Sequence, residues 1–208
     1  MSAALEQRLR KALASTHEDP PRPLSPLDLP FKLERLLTPK LMKSLRPAAV
    51  LAPVIRREGG LTMLLTRRSE SLRSHKGQIS FPGGRREDAD QSAAAAALRE
   101  AHEEVGLEPD KVEVIGFLDD YPTTTGYLIT PVVGIVSEAP TFRACVREVA
   151  EVFEVPLAVL LDPGCYKQST FPRNGLKVPF WEVHWQSYRI WGATAGMLWN
   201  LVQKVQVV

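Results

Sequence analysis

A chain of 208 residues with 44% hydrophobic content is sized for one domain with a sizeable core and some decoration. Its 26 Lys and Arg against 24 Asp and Glu leave a net charge of +2, which provides no broad basic field for a nucleic-acid backbone. No run approaches the roughly 20 apolar residues of a bilayer span, no export signal is recognisable, and Cys145 and Cys165 sit in no CxxC or His-rich context, so a cytoplasmic protein with neither nucleic-acid nor membrane partners is expected.

In chain order, Leu5 to Leu13 is amphipathic and predicts a short helix. The stretch HEDPPRPLSPLDLP follows, and Pro20, Pro21, Pro23, Pro26 and Pro30 cannot donate ladder hydrogen bonds, so it reads as an extended arm or, equally, as a poorly ordered tail. A second short helical pattern runs from Phe31 to Leu45. Residues 1–46 are therefore set apart from a main domain over 47–208. The arm would lie across that domain or across a partner subunit, and a homodimer is one assembly to expect.

From Pro47 the pattern changes to strands. AAVLAPVI and LTMLLTRR flank Glu58-Gly59-Gly60, the signature of a hairpin. After the glycine loop SFPGG, an alanine run predicts a helix over Ser92 to Val105, with Asp90 or Ser92 to cap its start and Gly106 to stop it. Apolar runs at Val112 to Leu118, Leu128 to Val136, Phe180 to Trp185 and Tyr188 to Trp191 predict further strands. Thr194, Met197, Leu198, Leu201, Val202 and Val205 recur at helical spacing and predict a final amphipathic helix. Strands outnumber helices without regular βα alternation, so the fold expected is α/β in the α+β sense, a mixed sheet with helices on its faces.

The Ser92 to Val105 helix carries the chemistry. Ala94, Leu98, Ala101 and Val105 are expected on one stripe, with Glu100, Glu103 and Glu104 clustered on nearly the opposite face. Neighbouring like charges destabilise a helix by roughly 0.2–0.5 kcal/mol per pair. A hard dication such as Mg²⁺ offsets that repulsion while bridging to phosphate oxygens, and Arg99 can orient a carboxylate beside it. On its own the triplet reads more readily as a solvated acidic face. The preceding Gly83 and Gly84, which permit close backbone approach to a metal or a phosphate, favour the metal reading.

Gly84, Asp90 and the run from Arg99 through Glu100, Ala101, His102, Glu103, Glu104, Val105 and Gly106 to Leu107 resemble the Nudix box. The second half matches apart from a small Ala101 at an aliphatic position, whereas the first half has Asp90 in place of a Glu and one additional residue before Arg99. The segment LLTRRSESLRSHKGQISFPGG, Leu64 to Gly84, resembles the second signature of the coenzyme A pyrophosphatase subgroup, where the longer, Asp-containing loop is also familiar. The resemblance extends from Pro47 to Val205.

That resemblance implies an α/β/α sandwich and metal-dependent hydrolysis of the pyrophosphate bond of coenzyme A or its derivatives to 3′,5′-ADP and 4′-phosphopantetheine. Glu100 and Glu104 would be the chief ligands of Mg²⁺ or Mn²⁺, with Glu103 and the Gly84 carbonyl beside them and Arg99 in support. The general base would be a box glutamate or Glu148 from VREVAEVFEVPL, with Glu151 behind it; for these two, an exposed strand or turn face is an equal reading. Arg67, Arg73 and Lys76 would hold phosphates, and Gln78, Ser80, Phe81 and Gly83 would line the same wall, with core packing the other reading of Phe81. His75 and His102 are weaker candidates for a base, and the four tryptophans, Trp181, Trp185, Trp191 and Trp199, fit core packing better than adenine stacking. DDYPTTTGY, Asp119 to Tyr127, would rim the cleft. Two other functions stay open: hydrolysis of ADP-ribose, a dinucleotide or another nucleotide derivative, and a nucleotide-binding module without catalysis.

Overall fold

The computed structural model describes residues 2–20, 22–25, 44–71, 76–137, 140–173 and 176–208. The expected second helical pattern, Arg73 and His75 fall outside them, apart from the last two residues of that pattern. Strands β1 (Arg46–Arg57) and β2 (Gly60–Arg68) form the expected hairpin, closed by pairing of Arg57 with Gly60. Then come β3 (Ile79–Ser80), β4 (Gly83–Arg85), β5 (Val112–Phe117), β6 (Tyr121–Pro122), β7 (Tyr127–Val136) and β8 (Val149–Pro156). Together these eight strands make one sheet, with the path β3-β2-β1-β7-β5 and with β4, β6 and β8 paired to β1, β7 and β2 respectively. β1 and β7 run parallel and the other pairs antiparallel, so the sheet is mixed. A separate antiparallel sheet holds β9 (Tyr166–Arg173), β10 (Leu176–Trp185) and β11 (Tyr188–Trp191).

Alternation along the central strands decides what each sheet face buries. Val50, Ala52 and Val54 of β1, Met63 and Leu65 of β2, and Val133 and Ile135 of β7 share one face. They pack with Leu9 and Leu13 of α1 (Ser2–Leu13) and Leu198 and Leu201 of α4 (Ala193–Gln206). Ala49, Leu51 and Ile55 of β1, Leu64 of β2, and Val132 and Val136 of β7 face the other way, against α2 (Ala93–Val105). Helices on both faces of a mixed sheet make the α/β/α sandwich. The short α3 (Leu157–Leu160) joins β8 to the small sheet.

Helix α1 is bound to the domain by more than its apolar face: Arg10 pairs with Glu113 of β5 at 2.6 Å, Glu6 with Arg56 of β1 at 2.8 Å, and Arg8 donates to the Val205 carbonyl. Beyond it the chain turns, the Thr16 N–H bonding the Leu13 carbonyl at 3.0 Å, and bends over 18–20. Leu24 bridges to Asp120, and the Arg22 guanidinium pairs with the Asp120 carboxylate at 2.7 Å. The small sheet and α4 absorb the tryptophans: Trp181 stacks on Trp199 at 4.2 Å, and Trp185 on Tyr188 at 5.8 Å. Strand β9, with the polar sequence YKQSTFPR, has no apolar alternation to announce it and forms by pairing with β10. Among the described residues no helix is long and apolar enough to cross a membrane.

Candidate active site

Helix α2 is fixed at both ends by its own sequence. Ser92 caps it, its hydroxyl accepting from the Ala95 N–H at 3.0 Å. Gly106, at φ 68°, turns the chain out, its N–H bonding the His102 carbonyl at 2.9 Å while Leu107 is buried behind it. Asp90 does not cap; it accepts from the Glu87 N–H and holds Arg99 with both carboxylate oxygens at 3.0 Å.

The rotation of α2 departs from expectation. Its buried residues are Ala93, Ala96, Ala97, Ala101, Glu104 and Val105, while Ala94 and Leu98 are only partly buried. With about 100° per residue, Glu104 falls within the arc of Ala93, Ala97 and Ala101 rather than opposite it. Five consecutive alanines cannot specify which side of a helix meets the sheet, so the alanine pattern left that angle open. The consequence is a graded set of carboxylates: the Glu104 side chain is 5% exposed, Glu100 15% and Glu103 58%.

The glycine loop meets the two buried carboxylates. Gly83 and Gly84 lie in β4, paired with Val50 and Ala49 of β1. The Gly83 N–H donates to Glu104 Oε2 at 3.3 Å. Its φ is +155°, and a Cβ there would fall 2.5 Å from the Ala49 carbonyl oxygen. A Cβ on Gly84 would fall 2.6 Å from the Glu100 carboxyl, so the space a side chain would need is occupied by that carboxylate.

Burial pushes the Glu104 carboxyl up to about 7, and repulsion from Glu100 and Glu148 adds to it while Arg68 and the Gly83 N–H oppose it. Glu100 is raised for the same first reason, opposed by Arg99 and assisted by Glu103 and Glu148. The hydrogen bond from Arg99 holds Asp90 below its ordinary value. Arg99 also reaches Glu100 at 3.0 Å, Glu103 at 3.4 Å and the Arg85 carbonyl at 3.2 Å, so it ties the box carboxylates to the loop before the helix. Among the described residues, no three His, Cys, Asp or Glu side chains are already gathered as a ligand set. Ion pairing with Arg99 and the bond from Gly83 occupy Glu100 and Glu104 instead.

Glu148 is exposed in the turn before β8, where its carbonyl accepts from the Ser69 N–H at 2.8 Å, and it acts electrostatically on both Glu100 and Glu104. Glu151, one turn along β8, accepts from the Tyr188 hydroxyl at 2.6 Å and pairs with Arg67. Arg67 thus lies on the small-sheet side, its guanidinium 5.5 Å from the Tyr188 ring. The Gln78 carbonyl accepts from the Arg68 N–H at 3.0 Å, and Ser80 accepts from the Thr66 hydroxyl. Phe81 is 2% exposed and packs in the core behind the glycine loop. His102 faces Glu108 at 3.5 Å, away from Glu100. Asp119 is taken up by Asn200 and Lys204, and Asp120 by Arg22 and Thr130.

Sequence reasoning missed Arg68. Its Nη1 lies 3.9 Å from Glu104 Oε1. The alternation of β2 contained the signal, because Leu64 faces α2 and residues two and four further on share that face. Two open surface depressions also flank the helix, 390 Å³ beside Arg85, Glu87, Asp88 and Ala89 and 410 Å³ between His102, Glu103 and Arg143. Neither is lined by Glu100 or Glu104, so the carboxylates and the glycine loop, not these hollows, define the site.

The NUDIX domain model matches residues 45–164, which include the hairpin, the glycine loop, α2 and β8. A Nudix hydrolase of Cronobacter sakazakii, NudL, described as uncharacterized, is 46% identical over 187 residues, covering 87% of this chain and 96% of that protein. NudL of Escherichia coli K12 is 46% identical over 177 residues, 83% of this chain and 91% of its own. A solved Nudix hydrolase of M. smegmatis, RenU, is 27% identical and aligns with a TM-score of 0.46 over 53% of this chain and 70% of its own. With a domain model over more than half its length and close relatives along most of it, this chain belongs to the Nudix hydrolase family.

Proposed function

We propose that this Nudix hydrolase cleaves the pyrophosphate linkage of coenzyme A or its acyl derivatives, yielding 3′,5′-ADP and 4′-phosphopantetheine or its acyl form, with Mg²⁺ as cofactor and Mn²⁺ able to replace it. One observation carries the hydrolytic part: the two least exposed of the three helix glutamates, Glu104 and Glu100, lie against a loop whose glycines leave no room for side chains. A hard dication suits this donor set. Every donor is an oxygen, and burial together with repulsion from neighbouring carboxylates, Glu148 among them, raises both glutamates.

Glu100 and Glu104 would hold the ion, with Glu103 at the exposed rim and the Gly84 carbonyl beside Glu100. When bound, the ion neutralises phosphate oxygens and makes water more acidic. Arg99, itself held by Asp90, fixes the direction of Glu100 and Glu103. Glu148 would take the proton from water as the water oxygen bonds to one phosphorus, and the bridging P–O bond breaks with its electron pair leaving on the second phosphate. Arg73, Gln78 and Gly83 would line the substrate wall, whereas Arg67, paired with Glu151 on the small-sheet side, would not. Phe81 would shape that wall from behind.

Support for coenzyme A as substrate comes from the segment Leu64 to Gly84. It resembles the coenzyme A signature, and it brings Arg68 within 3.9 Å and the Gly83 N–H within 3.3 Å of Glu104. Its cations suit a ligand that carries a 3′-phosphate in addition to the diphosphate. A substrate panel tests the choice: with Mg²⁺, kcat/KM for coenzyme A and acetyl-coenzyme A should exceed that for ADP-ribose and a diadenosine polyphosphate. The reverse order would keep the chemistry and reject the substrate.

A further inference from the structure

The guanidinium of Arg68 differs from the other arginines around the site. Arg99 is held by Asp90, Glu100, Glu103 and the Arg85 carbonyl, and Arg67 by Glu151. Arg57, at the far end of β1, is held by Glu154. Among the described residues, the Arg68 guanidinium has only the 3.9 Å approach to Glu104, at the limit of an ion pair and beyond hydrogen-bond distance. Among the described residues its buried Nε has no hydrogen-bond partner; the same is true of Arg67 Nε, but Arg67 has Glu151 on its Nη2 and Arg68 has no such bond. A buried, charged donor without an acceptor costs free energy that a native site retains only for a reason.

The backbone of Arg68 is held by strand pairing and hydrogen bonds. The pairing of β2 with β8 shifts register between Arg67 and Arg68, and the alternation of β2 itself sends the two side chains to opposite faces, Arg67 to Glu151 and Arg68 toward Glu104. The Arg68 N–H donates to the Gln78 carbonyl at 3.0 Å, and its own carbonyl accepts from the Gly77 N–H at 3.2 Å, so it closes the base of the 69–77 loop. The outcome is an arginine on a paired backbone, its Nε without an acceptor among the described residues, beside the carboxylate where the diphosphate would be held. Arg forks match phosphate oxygens two at a time, which an ammonium cannot do.

We propose that Arg68 binds the diphosphate of the substrate directly, its guanidinium taking two phosphate oxygens beside Glu104. The proposal rests on the diphosphate chemistry above but not on coenzyme A as substrate, since the group recognised is common to all nucleoside diphosphate derivatives. It also separates the two neighbouring arginines of β2: Arg68 serves the reacting group, on the side of the sheet opposite to Arg67.

Calorimetric titration with methylenediphosphonate, a diphosphate that cannot be hydrolysed, in the presence of Mg²⁺ tests this without turnover. R68M should weaken binding roughly ten- to hundredfold. R68K, which keeps the charge and loses the fork, should lie between R68M and wild type. The half-saturating Mg²⁺ concentration measured without diphosphonate should stay unchanged, and unaltered circular dichroism and melting would certify the fold. Diphosphonate binding by folded R68M equal to wild type would overturn the proposal. So would a change confined to Mg²⁺ affinity, which would make Arg68 a positioning residue for Glu104. A wild type that neither binds the diphosphonate nor hydrolyses any diphosphate would reject the hydrolytic reading itself, and with it this role.

Discussion

Glu104 carries opposite demands. Its carboxyl is pushed up to about 7 from an ordinary 4.5, so folding favours the protonated form. That contribution to stability is fully present below the ordinary value and is lost as pH rises through about 7. In metal-free buffer, the melting temperature of the wild type should therefore fall between pH 5 and pH 8 relative to E104Q, which has no charge to bury. Parallel melting profiles for the two proteins would show that Glu104 is not strained. Added Mg²⁺ should raise the wild-type melting temperature at pH 8 and leave E104Q nearly unmoved. Asp90 acts one step back, through Arg99. D90N should lower kcat/KM about 10- to 100-fold and raise the Mg²⁺ requirement, measured by steady-state titration; a variant kinetically equal to wild type would remove Asp90 from the account. Asp90 was the residue at which the box departed from its pattern. The bidentate grip on Arg99 gives that departure a job that the one-dimensional pattern could not display.

Among the elements, α2 was the most legible, because its alanine run, Ser92 and Gly106 all act locally. Its rotation was not legible, because alanines on several sides fit a sheet equally well. The hairpin of β1 and β2 was readable from alternation and its glycine turn, whereas β9 has no apolar pattern of its own and forms by pairing with β10, the strand that follows it. Arg68 was hidden for a related reason: two adjacent arginines look alike in a list of residues, and only the strand's alternation separates them. The caps can be probed separately from the chemistry. S92A should cost about 1 kcal/mol and G106A roughly 1–2 kcal/mol, each lowering the melting temperature by roughly 2–8 °C with kcat/KM close to wild type. G83A is different, since its Cβ would meet the Ala49 backbone at 2.5 Å. It should lose most activity even where it folds, by displacing the N–H that reaches Glu104.

At the scale of the whole molecule, the sequence separated an N-terminal arm from a main domain by composition. The structure adds that α1 contributes Leu9 and Leu13, both fully buried, to the core shared by the sheet and α4. L13A should thus cost about 2–5 kcal/mol, measured by denaturant unfolding, where a merely tethered tail would lose almost nothing. The two-sided core also explains how the site is held: one layer rotates Glu104 inward, and the sheet presents the glycine loop to it. The proposed outcome of these parts acting together is hydrolysis of coenzyme A. Its most direct test is to incubate wild type and folded E104Q with coenzyme A and Mg²⁺ and identify the products by mass. The account predicts 3′,5′-ADP and 4′-phosphopantetheine from the wild type and formation at least about a hundredfold slower from E104Q. Intact coenzyme A after prolonged incubation with the wild type, or equal rates from the two proteins, would contradict it.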